Sequence, residues 1–534
     1  MVTGKSSLAR FWLLLCLLLV LLPIGVVVMG FGEINAEIWS FLLEYQLPML
    51  VKNTLVLLLI TAIGVTLLGV STAWLTAMYR FPGSRLFFWA MMLPLTLPAY
   101  VLAFVQVGMF DYTGFISTYL REQYGFEQGL PDIRNMWGLS SAMVLTFYPY
   151  VYLLARNAFL TMGQQAMEVG ASMGLSPFKS VIKVALPMAR PWIIGGLLLA
   201  MMEVLADFGA VAIFGVETFT TAIYQAWFSM YSIETAKQLA SLLVLFVFGL
   251  IVLEQLSRGQ RRFASNKSRP SQRKTLRGVG KWLALAYCSL ILLMGFILPM
   301  LQLFAWVIKH WQLEVIKSLW SPMWHSLAGG VIGAAMIAMV ALLLVLAKRS
   351  DHSRFAKVAS RIATLGYAIP GSVLAIGIFI PVAGLDNWLL SWLPVDEGTT
   401  GIIKGTLVVM LVAYVIRFLA LAVSSIEAGF ERIRPSLTES ALILGVRGWQ
   451  LVHRVYLPLV KGSLGVALLM VFVDIMKEMP ITLMTRPSEW DTLAVRIYAY
   501  TMEGQFEQAA LPALVIVLVG LLPVMLFSKM EHRL

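Results

Sequence analysis

Charged residues are scarce in this chain of 534 residues. Asp, Glu, Lys and Arg make up 13% of the sequence, against about a quarter in a typical soluble protein, and hydrophobic residues make up 59%. Cysteine is nearly absent as well, because only Cys16 and Cys288 occur, both in apolar runs, which excludes a disulfide framework. The sequence also lacks a G-x-x-x-x-G-K-[ST] phosphate loop, so it has no ATP-hydrolysing motif of that kind. This composition indicates a protein with many membrane-spanning segments.

Twelve apolar runs of about 20 residues predict twelve spanning helices, because that length crosses the hydrocarbon core of a bilayer. The runs are centred on 11–30, 52–79, 87–109, 137–160, 191–214, 237–256, 282–307, 325–347, 360–382, 402–425, 462–485 and 506–527. The first run has no obvious small-residue cleavage site, so we expect a retained helix and not a removed signal peptide.

Lys and Arg are concentrated in alternate loops, and the net charge is +12. Lys5 and Arg10 precede the first helix, and the stretch 258–281 holds nine basic residues and no acidic one. Because positively charged loops stay in the cytoplasm, we expect the N-terminus, the C-terminus and this stretch to be cytoplasmic. We interpret 258–281 as a flexible linker, with membrane-surface or nucleic-acid binding as the alternatives for this stretch. Because the linker is the interpretation we adopt, we expect no nucleic-acid partner.

The linker separates two similar halves of six predicted helices each, at 1–257 and 282–534. The stretch LPAYVLA at 97–103 aligns with IPGSVLA at 369–375, at an offset of 272 residues. Because six is an even number, both halves insert with the same orientation and form parallel repeats. The predicted fold class is an all-α polytopic membrane protein with about 12 transmembrane helices in two parallel six-helix repeats.

A polar segment recurs between the fourth and fifth helices of each half, in the loops 161–190 and 432–461. It reads EVGASMGLSPFKSVIKVALP in the first half and ESALILGVRGWQLVHRVYLP in the second. The residues that recur in register are Glu168 and Glu439, Gly174 and Gly445, and Pro187 and Pro458.

The spacing in this segment predicts a helix–Gly–helix loop. We expect Glu to begin a short helical turn and Gly to end it, because glycine tolerates left-handed backbone angles. A second short helix should follow and end at Leu-Pro. Exposed apolar residues on such a loop indicate a docking surface, whereas the absence of a paired general acid and base argues against a catalytic site.

Ionisable residues inside spanning helices are costly and point to function. The fifth helix of each half carries such residues, namely Glu203, Asp207, Asp474, Lys477 and Glu478. Four of them match in pairs at an offset of 271 residues, and each half's two carboxylates are four residues apart, which puts them on one side of a continuous helix. We interpret them as a candidate path for a cation, including a hard metal ion, with interhelical ion pairs as the alternative. No metal site is assigned.

The repeated loops resemble the cytoplasmic-loop signature of permease subunits of bacterial ATP-binding-cassette importers. In that family the loop forms a coupling helix that sits in a groove of the ATPase subunit. The resemblance therefore implies ATPase coupling for Glu168, Gly174, Pro187, Glu439, Gly445 and Pro458. The family prefers two alanines after Glu, whereas this chain has Val169-Gly170 and Ser440-Ala441.

The fifth-helix stretches LADFG at 205–209 and KEMPITL at 477–483, followed by Arg486-Pro487, resemble the fused two-repeat permeases of ferric-iron importers. The resemblance implies a bacterial inner-membrane permease for ferric iron that works by alternating access. Its expected partners are two copies of a cytoplasmic ATPase, a periplasmic substrate-binding protein and membrane lipid. ATP would be hydrolysed by the ATPase, so we expect no cofactor on this chain and no enzyme activity of its own. Permeases for thiamine or aminoethylphosphonate, and a proton-coupled secondary transporter, are the alternatives.

Overall fold

The computed structural model describes residues 6–32, 40–125, 131–258, 273–310, 313–351, 353–392 and 401–531. In the first half the helices are α1 (Ser6–Val28), α2 (Leu47–Met78), α3 (Ser84–Ala90), α4 (Ala99–Phe110), α5 (Phe115–Tyr124), α6 (Met136–Ser172), α7 (Pro177–Ser180), α8 (Leu186–Ala206), α9 (Gly209–Ile213), α10 (Phe219–Phe228) and α11 (Ile233–Arg258). In the second half they are α12 (Val279–Leu292), α13 (Leu298–Lys309), α14 (Leu313–Ser350), α15 (Arg354–Ala363), α16 (Gly371–Leu390), α17 (Leu407–Glu431), α18 (Pro435–Ile443), α19 (Trp449–Leu451), α20 (Leu457–Lys477), α21 (Pro480–Thr485), α22 (Leu493–Met502) and α23 (Phe506–Glu531).

Short 3-10 and π segments join several of these helices. The 3-10 turns are Met29–Phe31, Leu93–Thr96 and Leu365–Ala368, and the π turns are Leu42–Gln46, Val181–Ala185, Leu293–Ile297 and Val452–Tyr456. Within the described ranges, twelve helical segments are long and apolar enough to cross a membrane. The predicted all-α polytopic fold with twelve spans is confirmed.

The third helix predicted in each half is broken, and the expectation of continuous helices over 87–109 and 360–382 is wrong. In each half a short helix and a 3-10 turn lead to an extended residue, Leu97 or Ile369, directly before Pro98 or Pro370. The following helix, α4 or α16, begins immediately after the proline. A residue before proline is driven out of the helical region, which accounts for the break.

The fifth helix predicted in each half is also broken, at matching positions. Helix α8 ends at Ala206 and α20 ends at Lys477, and the next residues, Asp207 and Glu478, have extended backbone angles. A short helix, α9 or α21, begins two residues later. The expectation of single helices over 191–214 and 462–485 is therefore wrong near their ends.

The structure divides into two compact units, and each unit combines segments from both sequence halves. The first unit comprises residues 1–34, 226–241 and 313–496, and the second comprises 35–225, 242–312 and 497–534. The sequence repeats at 1–257 and 282–534 are thus a different division of the chain from its compact units.

In the first unit, helix α1 packs against α14, α15 and α16 of the other sequence half. The approach to α16 is close, because a Cβ added at Gly377 would lie 2.6 Å from the carbonyl oxygen of Pro23. At the other end of α1, Arg10 Nε donates to Asp351 Oδ2 at 3.0 Å. The first helix of the chain is therefore built into the structure of the second repeat.

In the second unit, the long helix α6 packs against α2 and α8. Tyr148 and Tyr152 on α6 are fully buried. Glycines allow the close packing, because a Cβ at Gly69 of α2 would lie 2.6 Å from Val151 Cβ and one at Gly196 of α8 would lie 2.7 Å from Val151 Cα. Small residues let helix backbones approach in this way in membrane proteins.

Part of the basic linker lies outside the described residues, namely 259–272. Its last segment is structured, because the strand β2 (Lys274–Thr275) pairs in parallel with β1 (Tyr79–Arg80). The guanidinium of Arg273 lies 4.7 Å from the centre of the Phe88 ring. The end of the linker is thus fastened to the segment that follows α2.

Candidate functional site

The loop after α6 has the geometry expected of a glycine-terminated helix. Gly174 has a φ of +73°, in the left-handed region. Its N–H donates to the Ala171 carbonyl at 3.0 Å, and the Leu175 N–H donates to the Gly170 carbonyl at 2.9 Å. These two hydrogen bonds form the Schellman motif that ends many helices.

The loop after α18 repeats this geometry in the second half. Gly445 has a φ of +80° and its N–H donates to the Leu442 carbonyl at 3.1 Å. The Val446 N–H donates to the Ala441 carbonyl at 2.9 Å. A Cβ at Gly174 or Gly445 would meet no atom within 4 Å, so the backbone angle and not packing calls for glycine. The helix-ending role predicted for both glycines is confirmed.

The prolines of the repeated segment do not end a helix, and that expectation is wrong. The chain continues as one helical segment from α7 through a π turn into α8, and likewise from α19 into α20. In each copy the residue just before the proline donates to a carbonyl five residues back, from Leu186 to Val181 and from Leu457 to Val452. Because proline lacks an N–H and crowds the preceding turn, the wider π turn lets Pro187 and Pro458 stand inside a continuous helix.

The two glutamates of the repeated segment lie on helices of different length. Glu168 lies within the long helix α6, exposed, and accepts a hydrogen bond from Gln164 Nε2 at 3.1 Å. Glu439 lies on the separate helix α18, which begins at Pro435. Gln164 occupies the position that corresponds to Pro435, so a proline breaks the helix in the second half only. A separate short helix before the glycine is thus present in the second copy only, and the expectation that Glu begins it is wrong in both copies.

Both loops expose large apolar side chains around the glycine. Phe178 is 74% exposed and Trp449 is 68% exposed. Other exposed apolar residues on these loops are Met173, Ile182, Ile443 and Leu444. Each loop therefore has a defined helix end beside a cluster of exposed apolar side chains.

The second residue after Glu is small in both copies, and the packing of the loop gives the reason. A Cβ added at Gly170 would collide with the Ser180 side chain, because α7 folds back onto the end of α6. The matching residue in the second copy, Ala441, is buried. The second position after Glu must be small so that the loop can close.

The two carboxylates of each half do not lie on one continuous helix, and the expectation that they do is wrong. Asp207 and Glu478 lie beyond the ends of α8 and α20, where their side chains accept hydrogen bonds from backbone N–H groups. Asp207 Oδ1 accepts from Ala210 at 2.9 Å and Glu478 Oε1 accepts from Ile481 at 3.1 Å. Each carboxylate thus satisfies an N–H at the start of the short helix that follows.

Threonine hydroxyls also hydrogen-bond to the backbone at the same two helix breaks. Thr220 donates to the Asp207 carbonyl at 2.8 Å, and Thr482 donates to the Glu478 carbonyl at 2.9 Å. Thr482 also shares a hydrogen bond of 2.5 Å with the buried Tyr414 hydroxyl. These residues were not singled out from the sequence, although Phe208-Gly209 and Met479-Pro480 are signals of a helix break at these positions.

The other candidate path residues are half-buried on the helices before the breaks, Glu203 on α8 and Asp474 and Lys477 on α20. Gly371, at the start of α16, lies close to Glu478, since a Cβ there would be 2.9 Å from Oε1. Within the part of the chain that the structure describes, no group of three or more His, Cys, Asp or Glu side chains is placed to hold a metal ion.

Comparison with known proteins identifies the type of molecule to which these loops belong. The sequence model of the family described as "Binding-protein-dependent transport system inner membrane component" matches residues 66–256 and 339–533. The chain belongs to this family. The double match also supports the fused two-repeat permease inferred from the sequence, and the family and the twelve apolar helices indicate a multi-pass inner membrane protein.

This permease is similar to proteins that differ in cargo. It is 27% identical to the Fe(3+)-transport system permease protein FbpB 2 of Haemophilus influenzae, over 98% of this chain and 99% of that protein. It is 30% identical to the sulfate transport system permease protein CysT of Salmonella typhimurium, over 38% of this chain and 72% of that protein. A 2-aminoethylphosphonate transport system permease, PhnV of Salmonella typhimurium, is 25% identical over 42% of this chain and 80% of that protein.

Proposed function

We propose that this permease is the transmembrane subunit of an ATP-driven importer whose cargo is ferric iron. The similarity to a ferric-iron permease runs over nearly the whole of both chains, fused repeats included. The similarities to sulfate and aminoethylphosphonate permeases are confined to 38% and 42% of this chain. Because the similarity to a ferric-iron permease covers both repeats, it supports iron as the cargo.

The observation that carries the coupling mechanism is the pair of matching docking loops around Gly174 and Gly445. Each loop receives one copy of a separate cytoplasmic ATPase, which binds and hydrolyses the ATP. The Schellman motif fixes the helix end, and the exposed Phe178 and Trp449 supply the apolar contact. The concentration of Lys and Arg in alternate loops supports a cytoplasmic position for both docking loops and both termini.

A periplasmic binding protein delivers the cargo to the outer face, and the permease alternates between outward-open and inward-open states. The cation passes near the intramembrane ionisable residues, which are Glu203, Asp207, Asp474, Lys477 and Glu478. Carboxylate oxygens are ligands that suit a hard ion such as Fe³⁺. In this mechanism Asp207 and Glu478 both shape the helix breaks and present charge to the cargo.

Coupling is tested with the double variant Gly174→Asp and Gly445→Asp. An aspartate at a left-handed position is strained and adds charge to an apolar docking surface. We expect the variant to insert into the membrane at the wild-type level but to lose co-purification of the ATPase and cargo uptake. Normal uptake by this variant would overturn the coupling assignment and favour a proton-coupled carrier.

The cargo is tested by uptake of labelled ferric iron, sulfate, 2-aminoethylphosphonate and thiamine in cells with and without the chain. We expect only iron uptake to fall when the chain is deleted under iron limitation. Unchanged iron uptake together with a loss of one of the other compounds would reassign the cargo and leave the coupling mechanism intact.

A further inference from the structure

A groove opens between helix α1 and the start of α15 in the first unit. Its volume is about 670 Å³, comparable with small-molecule sites in proteins. The lining residues are Ser7, Arg10, Phe11, Leu14, Ser353 and Phe355. The groove therefore combines three large apolar side chains with two hydroxyls and a cation.

The cation at the groove is held in place by a buried carboxylate. Arg10 Nε donates to Asp351 Oδ2 at 3.0 Å, and the Asp351 side chain is only 7% exposed. Asp351 Oδ1 also accepts the N–H of Ser353, at 2.9 Å. The Arg10 side chain remains 59% exposed, so its position is fixed while its charge stays accessible.

Helix α15 adds a basic and apolar surface beside the groove. Its inner face consists of small buried residues, which are Ala356, Ala359, Ser360 and Ala363. Phe355 and Val358 are exposed next to the exposed cations Arg354, Lys357 and Arg361. Exposed basic and apolar side chains on one short helix are typical of a helix at the membrane–water interface.

We propose that this groove binds an anionic phospholipid. The headgroup phosphate lies against Arg10, with Arg354 and Lys357 adding positive charge, because guanidinium groups pair well with phosphate. The acyl chain runs along Phe11 and Leu14.

The mixed lining favours a lipid over a soluble anion, since inorganic phosphate would leave the apolar residues in water. Basic pockets between helices on the cytoplasmic side bind anionic headgroups in other membrane proteins. The proposed orientation, with the N-terminus in the cytoplasm, puts the groove in the cytoplasmic leaflet. The lipid proposal rests on that orientation and is independent of the cargo. The bound lipid would join α1 to α15 at the membrane surface.

The test uses the purified full chain in detergent, titrated with dioleoyl phosphatidylglycerol or dioleoyl phosphatidylcholine and followed by native mass spectrometry. We expect tighter binding of phosphatidylglycerol. Because each cation near the surface contributes about fivefold to affinity, the variant Arg354→Gln with Lys357→Gln should weaken it about 25-fold. Both side chains are exposed, so folding is not at risk.

Two further variants distinguish lipid binding at this groove from nonspecific attraction of anionic lipid to exposed basic residues. Arg85→Gln removes an exposed charge at the position on α3 that matches Lys357, at an offset of 272 residues, and should leave binding unchanged. Leu14→Trp fills the groove without changing charge and should reduce binding at least tenfold. An equal loss of binding for Arg85→Gln and for the double variant Arg354→Gln with Lys357→Gln, or equal binding of the two lipids, would overturn the proposal. Displacement of the lipid by millimolar inorganic phosphate would do so too, and would indicate a soluble-anion site.

Discussion

Single residues set the shape of the docking loops, and Gly445 is the clearest case. Its φ of +80° costs a residue with a Cβ about 1–2 kcal/mol, although the space around it is open. We expect Gly445→Ala to lower the thermal midpoint of the purified permease, and Gly445→Asn to lower it less, because Asn adopts left-handed angles more readily.

The matched control for this prediction is Gly465→Ala. Gly465 lies in the helix α20, and a Cβ there would also meet no atom within 4 Å. Because alanine favours a helix interior, this variant should leave the midpoint unchanged or raise it slightly. Equal losses for Gly445→Ala and Gly465→Ala would show that the left-handed angle is not what the loop requires.

Asp351 gives the permease a pH dependence at the residue scale. Hydrogen bonds from Ser353, together with the pair with Arg10, lower the pKa of this carboxyl below its usual value. A lowered pKa stabilises the folded state above the usual carboxyl pKa of about 3.9, and this contribution is lost as the pH falls through the folded pKa. We expect wild type to be more stable than Asp351→Asn at pH 7 and the difference to shrink below about pH 4.

Thermal midpoints of both proteins between pH 3.5 and pH 7 check this prediction. The stability difference should stay constant from pH 7 to about pH 5, since the carboxyl is ionised in both states there. A difference that disappeared between pH 7 and pH 6 would mean that another group is responsible.

At the scale of elements, Glu478 lies at the break after α20, where its hydrogen bond to α21 and its charge can be tested separately. The side chain accepts the Ile481 N–H at the start of α21, a bond that a glutamine oxygen can also accept. We expect Glu478→Gln to keep the thermal midpoint, and Glu478→Ala to lose about 0.5–2 kcal/mol, the usual cost of removing a helix cap. If the charge also meets the cargo, iron uptake should fall in both variants.

The comparison of stability with uptake decides between these roles. Wild-type uptake by Glu478→Gln would remove the carboxylate from the transport path and leave it as a cap. The corresponding pair in the first half, Asp207→Asn and Asp207→Ala, repeats the experiment at the other break, where Asp207 accepts the Ala210 N–H.

The long apolar helices were predicted from the sequence, whereas the breaks within them were missed. The twelve spans and the helix ends at Gly174 and Gly445 follow from hydropathy and from the conformational freedom of glycine. The breaks at Asp207 and Glu478 were missed because hydropathy continues across them. Local hydrogen bonds determine where these helices break. At each break a carboxylate accepts a backbone N–H, and a threonine hydroxyl donates to a backbone carbonyl.

At the scale of the whole molecule, the sequence repeats predicted two similar halves but not which helices pack together. Helix α1 is nearly uniformly apolar, so its sequence carries no signal for a particular partner. Its place is fixed by side-chain and backbone fit, such as the pair of Arg10 with Asp351 and the approach of Pro23 to Gly377. Packing of this kind depends on three-dimensional shape, which hydropathy does not encode.

The close approach of α1 to α16 yields a prediction for the first unit. A Cβ at Gly377 would lie 2.6 Å from the Pro23 carbonyl oxygen, a backbone atom that cannot rotate away. Gly377→Ala should therefore force the helices apart at a cost of about 1–3 kcal/mol. Hydrogen exchange should rise in α1 and α16 and stay unchanged in α2 and α6. Gly384→Ala is the control on the same helix, since a Cβ there meets nothing within 4 Å. Increased exchange in α2 instead would place α1 with the first repeat and contradict this packing.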